Sequence, residues 1–449
     1  MNKSLSSGFP PLLQRLAASW PYDFPAGIRI EAGLSGGLDS VVLLHALAAL
    51  QQRFSFVLAA VHVHHGLSDQ ADEWADFCRR LCRQLNVPLR VEKVTVANSR
   101  LGIEAEARKQ RYRVFSDGFC DVLALAHHQD DQVETFMLAA LRGGGLRALS
   151  AMPGQRTLNG QIQVWRPLLA ESRETLESYA AEHGLAYVED GSNRNPAFLR
   201  NWLRHEALPQ WRSRVPHLDR HIVSSIRSLQ NELAVLNEIV EQDYAYVCET
   251  GAFSTARWKT LSEARRRQQL LHYAKLHGLG VPAQESLADF SRVLGTMQAA
   301  SAEWPLPQGK IYAYRDTLFA QKTGWQNVLP WLAQEGVLKG RLKNILPENG
   351  FTLKPHSFGI CEELLNEECV IRAANADDVI QTTVGRKSVW KILQECKVPP
   401  FARRCWPVVA DGSNRCAAIA NIRVSVHHGS PNGAIPVFDK FNCFVLEPK

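Results

Sequence analysis

The ten cysteines include no CxxC pair, which argues against a paired-thiol metal or iron–sulfur centre. The nearest two, Cys78 and Cys82, stand four apart in an amphipathic helical stretch with no second Cys/His pair after them, and read as buried thiols. Scattered free thiols fit a reducing cytoplasm, where the protein is expected to act. No GxxxxGK[ST] occurs, so a Walker-type phosphate loop is excluded. No apolar run approaches the roughly 20 residues of a membrane span, so no membrane partner is expected. The start MNKSLSSGFPPLLQRL lacks the basic head, apolar core and cleavage site of a signal peptide. Charge of one sign is barely in excess: the formal net charge is +6, compatible with nucleic acid but too weak to argue for it alone.

With 449 residues, 45% hydrophobic and 21% charged, the chain is an ordinary globular sequence too long for one core. Up to about residue 215 strand and helix patterns alternate. GIRIEAGLS, FSFVLAAVHVHH, PLRVEKVTV and DVLALAH read as strands. LDSVVLLHALAALQQ, ADEWADFCRRLCRQL, IEAEARKQRYRVFSDGF and DDQVETFMLAALRG read as helices with one apolar face. Apolar strands between such helices predict a parallel sheet covered on both faces, with ligands at the strands' carboxyl ends. From His221 to Val247 the residues Ile222, Ile226, Leu229, Leu233, Leu236 and Val240 form one apolar seam, predicting a long core or domain-bridging helix. LSEARRRQQLLHYAKLHGLG predicts another helix and GKIYAYRDTLFAQK a strand-like stretch. Beyond about residue 326 short strands dominate, with one helix around VWKILQEC. The expected division is therefore an α/β catalytic domain over 1–215, a mostly helical middle domain over 216–325 and a small mixed α/β domain over 326–449.

The sharpest local signal is SGGLDS, Ser35 to Ser40, between a strand and a helix. Adjacent glycines let backbone N–H groups approach an anion, and the helix start adds its positive end. Ser35 and Ser40 can donate hydroxyls to phosphate. Asp39 beside an anion suggests an intervening Mg²⁺, although a carboxylate near a helix N-terminus is stabilised in any case. The loop resembles the PP-loop of the N-type ATP pyrophosphatases, which cleave between the α and β phosphates. On that resemblance Ser35, Gly36, Gly37, Leu38, Asp39 and Ser40 bind ATP.

In HHQDDQVET, Asp130, Asp131 and Glu134 share one helical face, three like charges within a turn. Such a group raises its own pKa values unless a cation joins it, and an amine or Mg²⁺ would serve. His62, His64 and His65 end the second strand without a carboxylate or cysteine to complete a metal set, and read as a wall of the nucleotide pocket.

In series, SGGLDS, HVHHGL, GIEAEARKQRY, HHQDDQVET, RGGGLRALSAM, RPLL and EDGSN with FLRNWLRHEALP resemble the motifs of the tRNA(Ile)-lysidine synthetases. GRKSVWKILQECKVPPFARRCWPVVADG is similar to that family's C-terminal domain. The resemblance implies ATP-dependent attachment of free lysine to carbon 2 of the wobble cytidine in the CAU anticodon of an isoleucine tRNA. The base is first adenylated, releasing pyrophosphate, and lysine then displaces AMP. It further implies catalytic roles for His128, Asp131, Glu134, Arg200 and Arg204, with Thr135 and Asn201 on the same motifs. Lysine is expected at Asp130, Asp131 and Glu134, with the general base open among His128, Asp131 and Glu134. The family's usual GGRKLKK reads VGRKSVWK, so Trp390 stands where a second lysine is common.

Between Gln381 and Val424 stand Arg386, Lys387, Lys391, Lys397, Arg403, Arg404, Arg415 and Arg423, opposed only by Glu395 and Asp411. This segregation points to RNA contact, with Arg386, Lys387, Trp390, Lys391, Arg403 and Arg404 as candidates. The competing readings are an ATP-dependent amide synthetase, a tRNA thiolase and a non-catalytic RNA-binding relic. Oligomeric state is left open, a homodimer included.

Overall fold

A computed structural model of the protein describes residues 10–96, 103–118, 120–189, 198–297, 301–332 and 338–445. The first nine residues, Gly102 of GIEAEARKQRY and the Asp190–Asn193 part of EDGSN lie outside the described residues. The chain forms two compact units, Met1–Asn237 and Glu238–Lys449.

In the first unit a short helix α1 (Pro11–Ala18) precedes β1 (Ile28–Gly33), α2 (Leu38–Leu50), β2 (Phe56–His64), α3 (Ala71–Gln84) and β3 (Leu89–Lys93). Then come α4 (Ile103–Ser116), β4 (Val122–Ala124), α5 (Gln129–Leu141), α6 (Leu146–Leu149), β5 (Gln155–Leu158), β6 (Ile162–Trp165) and α7 (Arg173–Glu182). The sheet order is β3-β2-β1-β4-β6-β5. Every pairing is parallel except the β5–β6 hairpin. The chain steps outward from β1 through β2 to β3, then returns to place β4 on β1's other side. That reversal is the switch point where loops from neighbouring strands part and leave a crevice. SGGLDS follows β1 and HHQDDQVET follows β4, so both motifs open onto it.

The apolar pattern of α2 predicts one buried face; instead Val41, Val42, Leu43, Leu44, Ala46 and Leu47 are all wholly buried. The helix is enclosed because α1 and α7 also pack on it. Its only polar residues near the start, Asp39 and Ser40, are those of the loop. On the strands Glu31 is buried and answered by Arg90, whose Nε and Nη2 lie 3.2 and 2.9 Å from it.

The unit closes with α8 (Leu199–Trp202), a π-helical turn at Leu203–Ala207, α9 (Leu208–Arg214) and the start of α10 (Leu218–Val247). Ile222 and Ile226 are buried with Leu208 and Val133. The division between the units falls inside α10, where Leu229, Leu233 and Leu236 are only half-buried.

In the second unit helices Glu263–Leu276 and Gln284–Thr296 lie beside a three-stranded antiparallel sheet of Ser301–Leu306, Gly309–Tyr314 and Thr317–Lys322. The stretch GKIYAYRDTLFAQK is thus two strands. Arg315 takes a positive φ of 53° at the turn between them. Further on, a five-stranded sheet of Leu338–Arg341, Glu368–Ala373, Pro407–Ala410, Cys416–Ile419 and Arg423–Val424 packs around Trp331, Trp406 and Phe441. VWKILQEC forms the helix Val389–Glu395. Among the described residues no helix is long and apolar enough to cross a membrane.

Candidate active site

The loop after β1 is held in shape by its own hydroxyls. Ser40 Oγ accepts from the N–H groups of Ser35 and Gly36 at 3.1 and 3.2 Å, and donates to the Gly37 carbonyl at 2.9 Å. Ser35 Oγ lies 3.0 Å from Ser40 Oγ and accepts from Gly37 N–H at 3.3 Å. An arriving phosphate can therefore take over donors already gathered to one point. Gly36 is required twice: its φ is +91°, and a Cβ there would stand 2.9 Å from Val188. His62 braces the loop from beneath. It is buried, with Nδ1 2.8 Å from the Leu34 carbonyl and Cys78 Sγ 3.5 Å away. His64 pairs with Asp72 at 3.1 Å. Among the described residues no three His, Cys, Asp or Glu side chains are grouped to hold a metal ion.

Asp39 points from the first turn of α2 toward Arg173 and His128. Arg173, at the start of α7, places Nη1 3.0 and 3.1 Å from its oxygens. His128 Nε2 is 3.7 Å from Asp39 and 3.6 Å from Asp131. One imidazole thus spans from the phosphate loop to the acidic helix. Burial pulls the His128 pKa down, but the nearby carboxylates of Asp39 and Asp131 outweigh it and the net shift is upward. Neighbouring His127 is driven the other way by burial, to about 4, and is neutral at pH 7. Arg173 is a site residue that sequence reasoning misses, since no local pattern in SRETLESY connects it with Asp39 so far upstream.

On the acidic face of α5, two arginines pair with the carboxylates. Arg200 donates from Nε to Glu134 at 2.8 Å and from Nη2 to Asp131 at 2.8 Å. Arg204 donates from Nε and Nη2 to Glu134 at 2.5 and 2.8 Å, with Asp131 at 3.4 Å. Glu134 is 2% exposed. These charge-assisted forks compensate its burial, which an unpaired carboxylate would not tolerate. Burial would raise the Asp131 pKa, yet His128 and Arg200 hold it below the usual range. Arg204 is the second residue of the π-helical turn, whose widened backbone is a common mark of a functional segment. Asp130 stands apart from this cluster. Among the described residues its ion-pair partner is Arg212 at 3.9 Å, which is itself bound to Asp219 at 2.9 Å, and burial raises the Asp130 pKa.

The expected RNA-contact residues divide by environment. Arg386, Lys391 and Arg404 are exposed. Lys387 is tied to Glu395 at 2.6 Å. Arg403 braces its own unit, donating to the Val398 carbonyl at 2.8 Å and to Tyr314 Oη at 3.1 Å. Trp390 is half-buried, and its indole N–H has no partner among the described residues.

Residues 16–211 match the PP-loop domain family, 253–319 the TilS substrate binding domain and 370–437 the TilS substrate C-terminal domain. The tRNA(Ile)-lysidine synthase of Neisseria gonorrhoeae is 46% identical over 421 residues, covering 93% of this chain and 94% of that protein. That of Chromobacterium violaceum is 37% identical over 430 residues, covering 94% and 98%. Among solved structures, the U34-tRNA thiolase NcsA from Methanococcus maripaludis matches 49% of this chain and 78% of its own, at 18% identity and a TM-score of 0.42.

Proposed function

This chain belongs to the tRNA(Ile)-lysidine synthase family, and we propose that it joins free lysine to carbon 2 of the wobble cytidine in the CAU anticodon of an isoleucine tRNA. It is a PP-loop enzyme of tRNA modification that uses ATP. The cytosine O2 attacks the α-phosphate of ATP and pyrophosphate leaves. The lysine ε-amine then displaces AMP at carbon 2.

The observation that carries this reading is the pairing of Arg200 and Arg204 with Asp131 and Glu134, one imidazole away from the phosphate loop. The same four side chains suit both halves of the reaction. When ATP occupies the loop, its α-phosphate competes for the two guanidinium forks, which are matched to phosphate geometry. Each bond they surrender uncovers a carboxylate oxygen for the lysine ammonium groups. Between His128 and Asp131, His128 is the better acceptor for the amine's proton, because its affinity is raised while that of Asp131 is lowered. Asp39 is a suitable carboxylate for Mg²⁺, which usually takes one or two carboxylates and completes its shell with phosphate oxygens and water. Bound there, Mg²⁺ would neutralise charge on the departing pyrophosphate.

One incubation tests the proposal. With ATP, labelled lysine and bulk tRNA, the protein should place label in RNA and yield AMP and pyrophosphate in equal amounts. ADP as the main product would sink the assignment.

For tRNA binding by the C-terminal region, the informative variant is the Arg386→Glu/Arg404→Glu pair. Arg403 is a poor choice, since its loss would disturb Tyr314 and Val398 as well. The pair should weaken tRNA binding and flatten the salt dependence by roughly one unit of slope for each phosphate no longer neutralised. Unchanged affinity would return both side chains to solvated surface.

A further inference from the structure

One basic cluster in the first unit differs from every arginine of the site above. Arg166 follows β6 and is 5% exposed. Its Nη1 donates to the Pro153 carbonyl at 2.8 Å, while its Nε is buried without a partner. Close by, the guanidinium carbons of Arg108 (on α4) and Arg156 (on β5) lie 5.1 and 5.2 Å from the centre of the Tyr112 ring. Among the described residues none of the three arginines is ion-paired with a carboxylate, whereas Arg90, Arg173, Arg200, Arg204 and Arg212 all are. The charge is felt in the surroundings. Burial would raise the Tyr112 pKa, but Arg108 and Arg156 bring it below the ordinary phenol value. Burial and the neighbouring Arg156 lower that of Arg166.

Three cations around one phenol, one of them buried with a spare donor, form an arrangement that costs free energy until an anion arrives. We propose that Arg108, Arg156 and Arg166 bind a backbone phosphate of the substrate RNA, next to the nucleotide being modified. This rests on the tRNA reading above. The topology favours RNA over ATP as the source of that phosphate. The nucleotide loop lies at the end of β1, and β4 separates it from β6 in the sheet. Arg166 instead neighbours the carboxyl end of β4, where Leu125 N–H bonds the Trp165 carbonyl at 2.9 Å and His127 follows two residues on. Arg166, Arg108 and Arg200 all act on His127. The cluster therefore flanks the α5 carboxylates on the side away from the ATP loop. A strand entering from that side brings its base to the reacting centre while its backbone meets the arginines. The Tyr112 ring is already engaged by two guanidinium groups, so the cluster suits a phosphate better than a stacked base.

The β5–β6 hairpin, the one antiparallel element of the sheet, carries Arg156 and leads directly into Arg166. On this proposal it is there to present them.

The test uses the full chain and the exposed or half-exposed partners, since Arg166→Gln risks the fold. Arg108→Gln/Arg156→Gln should bind unmodified tRNA about tenfold more weakly, with a salt slope shallower by about one to two units. Its KM for ATP should be unchanged. A second measurement uses anticodon stem-loops carrying a neutral methylphosphonate at one position at a time. In the unaltered protein one position near the wobble nucleotide should weaken binding. In the double variant that position should no longer matter. Unchanged tRNA affinity in the variant, or equal methylphosphonate losses in both proteins, overturns the inference. A raised KM for ATP with unchanged tRNA affinity also overturns it, and assigns the arginines to the nucleotide. If the unaltered protein itself binds no tRNA, the functional reading falls and this inference with it.

Discussion

Arg204→Ala is expected to lower tRNA-dependent ATP–pyrophosphate exchange by about 100- to 1,000-fold, the range seen when one preorganised donor to a developing oxyanion is removed. Arg204 is held in place rather than free in solvent. Glu134 grips two of its nitrogens, at 2.5 and 2.8 Å, and keeps it at the site until an α-phosphate competes for the same donors. Its pKa is lowered by burial but raised more by Glu134 and Asp131, so it stays charged. Arg204→Lys should recover only part of the loss, because an ammonium keeps the charge without the two-pronged geometry. If Arg204→Ala leaves exchange intact and only raises the lysine requirement, Arg204 serves as a clamp on Glu134 and not as a ligand of the α-phosphate.

That pairing is what the sequence does not reveal. The carboxylates of HHQDDQVET and the arginines of FLRNWLRHEALP are each recognisable as motif residues, and each invites its own partner: a lysine or Mg²⁺ for one, a phosphate for the other. Spacing along a helix shows which side chains share a face, but not which distant helix faces them. Arg200 and Glu134 are 66 residues apart, and only the fold brings α8 against α5. The same limit hides Arg173, the actual neighbour of Asp39. Strand–helix alternation, by contrast, is a local signal. It locates β1, β2 and β4 and puts both motifs at carboxyl ends, because a parallel sheet admits little else. Local reading fails for α2 in a different way. LDSVVLLHALAAL carries too many apolar residues for one face, and the surplus is answered by α1 and α7, elements whose docking no period in α2 itself records. GKIYAYRDTLFAQK reads as one stretch because Arg315–Asp316 lacks the glycine or asparagine that normally announces a tight hairpin.

Glu134→Gln separates the two chemical steps. The substitution keeps the side chain's shape, removes its charge and turns an amide toward two arginines that need acceptors. Lysine transfer should fall by roughly 30- to 1,000-fold, corresponding to about 2 to 4 kcal/mol for a buried charged hydrogen bond lost at the ammonium site. Exchange should respond differently. In the resting protein Glu134 competes with the α-phosphate for Arg200 and Arg204, accepting from both. A neutral amide competes less, so the forks are released to the nucleotide and tRNA-dependent exchange should stay within severalfold of the unaltered rate. The exchange assay also fixes the order of events. If the activated group is the tRNA base, exchange requires tRNA and proceeds without lysine. Exchange that needs lysine and ignores tRNA would mean the amino acid is adenylated first. If exchange and lysine transfer collapse together in Glu134→Gln, the carboxylate's work is to hold the arginines, and the lysine pocket must lie beyond α5.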